Sequence, residues 1–100
     1  NGKFVMGGGG GFAGSLNNQA GGIDGSWALR DYEAIVNYGH LAVHRATVTS
    51  RAIVDDFYAR APGASYFFDC SKGGRQALID AQRYPDDFDA IVAGAPALDF

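Results

Sequence analysis

Apolar and polar positions divide this chain into segments with different periods. Residues 3–6 form a short apolar run, a strand candidate, that ends on Gly7-Gly8-Gly9-Gly10-Gly11-Phe12-Ala13-Gly14, which no regular element tolerates. Gly and Asn persist through Asn17, Asn18, Gly21, Gly22 and Gly25, so residues 7–26 predict a loop region with no core of its own. From Asp31 onward Ala34, Ile35, Tyr38, Leu41, Ala42, Val48, Ala52, Ile53 and Phe57 recur at three- and four-residue spacing, which predicts one apolar face of a long helix. Asp31 supplies its cap, Gly39 is a weak point, and Pro62-Gly63 is the stop. Residues 64–69 are aromatic-rich and bounded by turn residues, and predict a buried strand. A tight segment over 70–74 follows, then a helix over 75–84 with Ala77, Leu78 and Ala81 on one side and Pro85 ending it. Residues 89–93 predict a second buried strand, closed by Gly94-Ala95-Pro96.

Strand, loop, long helix, strand, turn, helix, strand is the order of an α/β fold: a parallel sheet with helices on its faces. At 100 residues, 47% hydrophobic and 19% charged, the chain fits one small globular unit or part of a larger one. Its first residue is Asn1 and its last residues include Leu98 and Phe100, and the expectation is an internal piece of a longer protein. A formal net charge of −3, with Lys and Arg scattered from Lys3 to Arg83, argues against a nucleic-acid partner. No apolar run reaches the roughly 20 residues of a membrane span. The single cysteine, Cys70, is either a free thiol or half of a disulfide whose partner lies outside these residues.

The chemistry concentrates where the second strand turns into the second helix. Ser71 stands at that turn, with Gly73 and Gly74 just after it. A sharp strand-to-helix turn of this kind pushes a serine hydroxyl above the sheet, the nucleophile elbow of α/β-hydrolases. The backbone N–H of Lys72, at the helix start, would face an oxyanion forming on a carbonyl attacked by Ser71. A second donor is expected from the loop after an earlier strand, where Gly10 or Gly11 is well placed. The competing reading is an ordinary serine N-cap.

Three blocks carry a family likeness: Tyr66-Phe67-Phe68-Asp69-Cys70-Ser71-Lys72-Gly73-Gly74-Arg75-Gln76, then Ala81-Gln82-Arg83-Tyr84-Pro85-Asp86-Asp87-Phe88-Asp89, then Ile91-Val92-Ala93-Gly94-Ala95-Pro96-Ala97. Together they resemble the tannase and feruloyl esterase family. Gly10-Gly11-Phe12-Ala13-Gly14 resembles its oxyanion loop, and Asp24-Gly25-Ser26-Trp27-Ala28-Leu29 with Ala42-Val43-His44 resembles the approach to its long helix. The resemblance implies that residues 1–100 are the central part of an α/β-hydrolase catalytic domain. It also implies a secreted or periplasmic serine esterase that cleaves phenolic esters, feruloyl or galloyl in type, through an acyl-enzyme. Ser71 would be the nucleophile, Lys72, Gly10 and Gly11 the oxyanion hole, and Cys70 one half of a disulfide to a cysteine beside the catalytic His. The triad's Asp and His lie downstream of the nucleophile in such proteins, beyond this chain. So does the lid with its calcium site, and no cofactor or metal ligand is assigned within residues 1–100. The expected partner is a small phenolic ester; no nucleic-acid or membrane partner is expected.

Two departures stand out. Asp69 occupies a position where the family has Gly, placing a carboxylate near the oxyanion, and residues 15–23 are shorter than the family's segment, as if a strand were deleted. The alternative function is therefore a catalytically silent truncated homologue lacking the triad's Asp and His.

Other motifs carry less. Gly9-Gly10-Gly11-Phe12-Ala13-Gly14 satisfies GxGxxG after a strand, but residues 15–26 are too rich in Gly and Asn for the helix a dinucleotide site needs. His40 and His44 share a helix face without a third ligand, which predicts structural or surface roles. Asp86, Asp87 and Asp89 are expected to solvate a loop, and Trp27 with the strand aromatics to form core.

Overall fold

The computed structural model describes residues 2–9 and 26–98. Strand β1 (Lys3–Met6) is followed, beyond the undescribed stretch, by a 3-10 turn at Ser26–Ala28 and a helical rod in three parts. These are α1 (Tyr32–Val36), a π turn (Asn37–Leu41) and α2 (Ala42–Tyr58). Then come β2 (Ala64–Cys70), α3 (Ser71–Arg83) and β3 (Ala90–Gly94).

The strands form a parallel sheet in the order β1-β2-β3, with Val5 opposite Tyr66 and Phe67 opposite Ile91. This is a partial α/β fold of the expected kind. β2 takes the centre because its Ser65 and Phe67 are buried against the helical layer while both its edges are paired. Phe67, Ala77 of α3 and Phe88 make the core, with Phe4, Met6, Val43, Ile91 and Ala93 packed around them. The rings of Phe67 and Phe88 lie 5.3 Å apart, so Phe88 pins the segment between α3 and β3 onto the sheet.

Local chemistry explains the boundaries. Asp31 caps α1 as its spacing predicts, its Oδ1 accepting the Ala34 N–H at 2.9 Å. At Gly39 the rod does not break but widens: the Ala42 N–H donates to the carbonyl of Asn37, five residues back. Ala59, in the left-handed conformation at φ 54°, then ends α2.

Three expectations need correction. α3 begins at Ser71, so the segment over 70–74 is mostly the helix's first turn instead of a separate turn. β2 and β3 are buried on one face only: Phe68 is 58% and Val92 64% exposed on the other, which no described element covers. The expected apolar stripe of the long helix also misses the core. Ile35, Val48, Ile53 and Phe57 are exposed; Val43 and Thr47 meet the core and β1, and His44 faces Tyr84 and Asp87. The reason is polar complementarity: the Thr47 hydroxyl donates to the Val43 carbonyl and meets the Met6 sulfur at 3.2 Å, while His44 and Arg51 bind Asp87. The side chain of Trp27 lies outside what the structure describes, as does the shortened segment over 15–23.

Candidate active site

The junction of β2 and α3 is a strained elbow. Cys70 is still extended, at φ −115° and ψ 168°, and Ser71, the first helical residue, turns to φ 54°. A non-glycine residue in that region carries a strain of about 1–3 kcal/mol, which persists only where the surroundings fix it. The N-cap position belongs to Cys70, whose side chain caps nothing. An ordinary serine cap therefore does not describe Ser71. Its residue is exposed, at the end of the central strand.

Close packing holds the elbow in place. A Cβ on Gly74 would stand 2.7 Å from the Gly94 carbonyl, and one on Gly73 would overlap the Asp69 carboxylate. The Ala97 N–H donates to the Ser71 carbonyl at 2.9 Å, tying the elbow to the chain leaving β3. Gln76, one turn further along α3, accepts the Gly9 N–H on its Oε1 at 2.8 Å and so orders the start of the glycine loop. Gln76 stands in the motif block, but its partner lies 67 positions away, so no spacing announces this role. Gly10 and Gly11, the expected loop donors, lie outside the described residues.

Asp69 stands beside the first turn of α3 and the end of β1. Its carboxylate lies against Gly73 and on the side of Gly7, and Oδ1 accepts the Cys70 N–H at 2.6 Å.

Lys72 turns its side chain away from solvent: it is 1% exposed, with Nζ 3.2 Å from the centroid of the Tyr38 ring. Burial pushes its ammonium pKa down, and the contact with Tyr38 partly opposes that.

A second polar cluster lies toward the C-terminal end of α3, the end away from Ser71. His44 Nδ1 is 2.7 Å from Asp87 Oδ2, and its ring stacks on Tyr84 at 4.1 Å. The Tyr84 hydroxyl in turn is hydrogen-bonded to His40 Nδ1 at 2.8 Å. Both histidines of the chain are thus engaged with residues of the α3–β3 region, and neither has a hydrogen bond to Ser71 among those described. Asp87 is buried, contrary to the expectation of a solvated loop, and Asp89 accepts the N–H and hydroxyl of Ser65, which draw its pKa down. Asp80, 1% exposed, has no hydrogen-bond donor on either oxygen among the described residues. Burial, reinforced by Asp87 beside it, raises its pKa to about 6. Among the described residues no group of three or more His, Cys, Asp or Glu could hold a metal ion. No described helix is long and apolar enough to cross a membrane.

A profile described as "Tannase and feruloyl esterase" matches residues 17–100. The chain belongs to the tannase and feruloyl esterase family. Among relatives, it is 43% identical over 84 residues to a "Probable feruloyl esterase B-1" of Aspergillus fumigatus, covering 84% of this chain and 16% of that protein. It is 36% identical to "Feruloyl esterase B" of Aspergillus niger, covering 99% of this chain and 22% of that one. This last alignment runs over 117 positions, more than the chain's own 100 residues, so the relative carries extra residues within it. The crystal structure of feruloyl esterase B from Aspergillus oryzae superposes with a TM-score of 0.86 at 29% identity, over 98% of this chain and 23% of that one. The chain thus spans about a fifth of the length of these family members.

Proposed function

We propose that the protein is a carboxylic ester hydrolase acting on phenolic esters, feruloyl or galloyl in type, with Ser71 as its nucleophile. One observation carries this reading above the others: Ser71 is held at φ 54° between the central strand and its helix, where strain is otherwise without purpose. Family membership and the feruloyl esterase relatives supply the substrate class.

In this mechanism Ser71 Oγ attacks the ester carbonyl carbon and gives its proton to a histidine outside these residues. Negative charge gathers on the former carbonyl oxygen, where the Lys72 N–H and a donor from Gly10 or Gly11 receive it. The alcohol leaves with the proton from the histidine, and water then releases the phenolic acid from Ser71. Cys70, exposed beside the nucleophile, is suited to a disulfide with a cysteine near that histidine. Export from the cell, to the exterior or the periplasm, belongs to the same reading.

Hydrolysis of a chromogenic feruloyl ester by the protein and by Ser71→Ala tests it. The protein is expected to turn over the ester and the variant to fall to background; equal rates would end the proposal. A second reading concerns residues 1–100 alone: with His40 and His44 engaged elsewhere, they would be catalytically silent. Hydrolysis by these residues alone, abolished in their Ser71→Ala form, would overturn that second reading.

A further inference from the structure

The residue that follows the nucleophile is a buried cation. Burying an ammonium is costly, and an aliphatic side chain would fill the same space without desolvating a charge. What Lys72 has that an aliphatic residue lacks is a directional partner: its Nζ stands over the face of Tyr38, 3.2 Å from the ring centroid, and hydrogen-bonds the Tyr38 side chain. Tyr38 in turn lies within the π turn Asn37–Leu41, and π turns within α-helices are frequent at functional sites. The added residue of that wide turn rotates the side chains before it relative to those of α2.

From this arrangement we infer that Tyr38 is a positioning residue for the nucleophile elbow, its ring holding Lys72 so that the Lys72 N–H and the Ser71 hydroxyl keep their aim. The inference rests on Ser71 being the nucleophile. It adds a third anchor to the two on the other side of the elbow, where Gly74 meets Gly94 and Ala97 binds the Ser71 carbonyl. Those two hold the elbow to β3. The Lys72–Tyr38 pair holds it to the helical layer, so the strained residue is gripped from both sides.

Steady-state kinetics of the full protein on a feruloyl ester, with Tyr38→Leu, Tyr38→Phe, Lys72→Met and Ser71→Ala side by side, test the inference. Tyr38→Leu and Lys72→Met are expected to lower kcat roughly ten- to hundredfold with KM within about twofold, as misaligned reacting groups do. Tyr38→Phe keeps the ring face and loses only the hydrogen bond to the hydroxyl, and its kcat is expected to lie between those of the parent and Tyr38→Leu. The Tyr38→Leu, Lys72→Met double variant should lose little more than either single one. Parental kcat in both Tyr38→Leu and Lys72→Met, with Ser71→Ala inactive, would overturn the positioning role alone. Activity surviving in Ser71→Ala would instead remove the reading beneath it. Should Lys72→Met not fold, the Leu and Phe forms at position 38 decide the matter by themselves: equal kcat in the two contradicts the inference.

Discussion

Gly74 of α3 rests against the carbonyl of Gly94 at the end of β3, so close that a Cβ at position 74 would stand 2.7 Å from that oxygen and 3.1 Å from the Pro96 Cα. Both obstacles are backbone, which cannot swing aside as a side-chain tip would. Gly74→Ala is therefore expected to push α3 away from β3, lowering stability by about 1–3 kcal/mol and displacing Ser71. Denaturant unfolding checks the first effect and esterase kcat the second. A variant of parental stability would mean that this contact is looser than described.

The Asp69 carboxylate lies against Gly73, on the side of Gly7, and with Ser71 as the proposed nucleophile it stands on the oxyanion's side of the elbow. A negative charge near a developing one raises the barrier. Asp69→Asn keeps the shape and removes the charge, and is expected to raise kcat roughly three- to tenfold on a neutral ester. Asp69→Gly, which also removes the bulk over Gly73, should do at least as well. A fall in kcat in both variants would show that the carboxylate supports the elbow instead of opposing the reaction.

Asp80 makes stability depend on pH. Folded, its carboxyl keeps its proton up to about pH 6, whereas an unfolded chain releases it near 3.8. Between those values the folded state binds more protons, so stability falls as pH rises through the window and the loss is complete above it. Asp80→Asn should be more stable than the parent at neutral pH by an amount on the order of 1–3 kcal/mol, with the difference vanishing below the window. Thermal unfolding at several pH values measures this; a variant with the parent's pH slope would contradict it. Asp89, whose pKa is lowered by hydrogen bonds from Ser65, acts with the opposite sign: its contribution is lost only as pH falls below the ordinary carboxylate range.

His44 and Asp87 resemble the base and orienting acid of a triad, yet they join α2 to the turn before β3. His44→Ala is expected to lower stability by about 1–3 kcal/mol, since it leaves a buried carboxylate short of a partner, while kcat per folded molecule stays within about twofold. Titrating the reactive serine before the assay separates the two effects. A loss of kcat with stability intact would make His44 part of the chemistry.

Much of this was legible in the residues. Asp31 announces its helix because a cap is a local interaction, and Ser71 marks its turn because strand aromatics precede it and glycines follow. The start of α3 was hidden, since Gly73 and Gly74 disfavour a helix by about 1 kcal/mol each. Their contacts with Asp69 and Gly94 are tertiary and leave no trace in periodicity. The orientation of α2 was hidden for a related reason. Val48, Ile53 and Phe57 give the stronger apolar pattern, but Thr47, His44 and Arg51 meet polar groups that only the fold assembles. Asp87 read as a loop residue because its partner stands 43 positions away. The partnership of Tyr38 with Lys72 joins residues on separate elements, one of them a π turn that no spacing rule announces.

The most direct test of the central claim is mass spectrometry of the full protein after treatment with a fluorophosphonate, which forms a stable adduct on an activated serine. The adduct is predicted on the peptide carrying Ser71, in proportion to the feruloyl esterase activity lost, and is predicted to be missing from Ser71→Ala. Complete inhibition with the label on another residue, and Ser71 unmodified, would contradict the account.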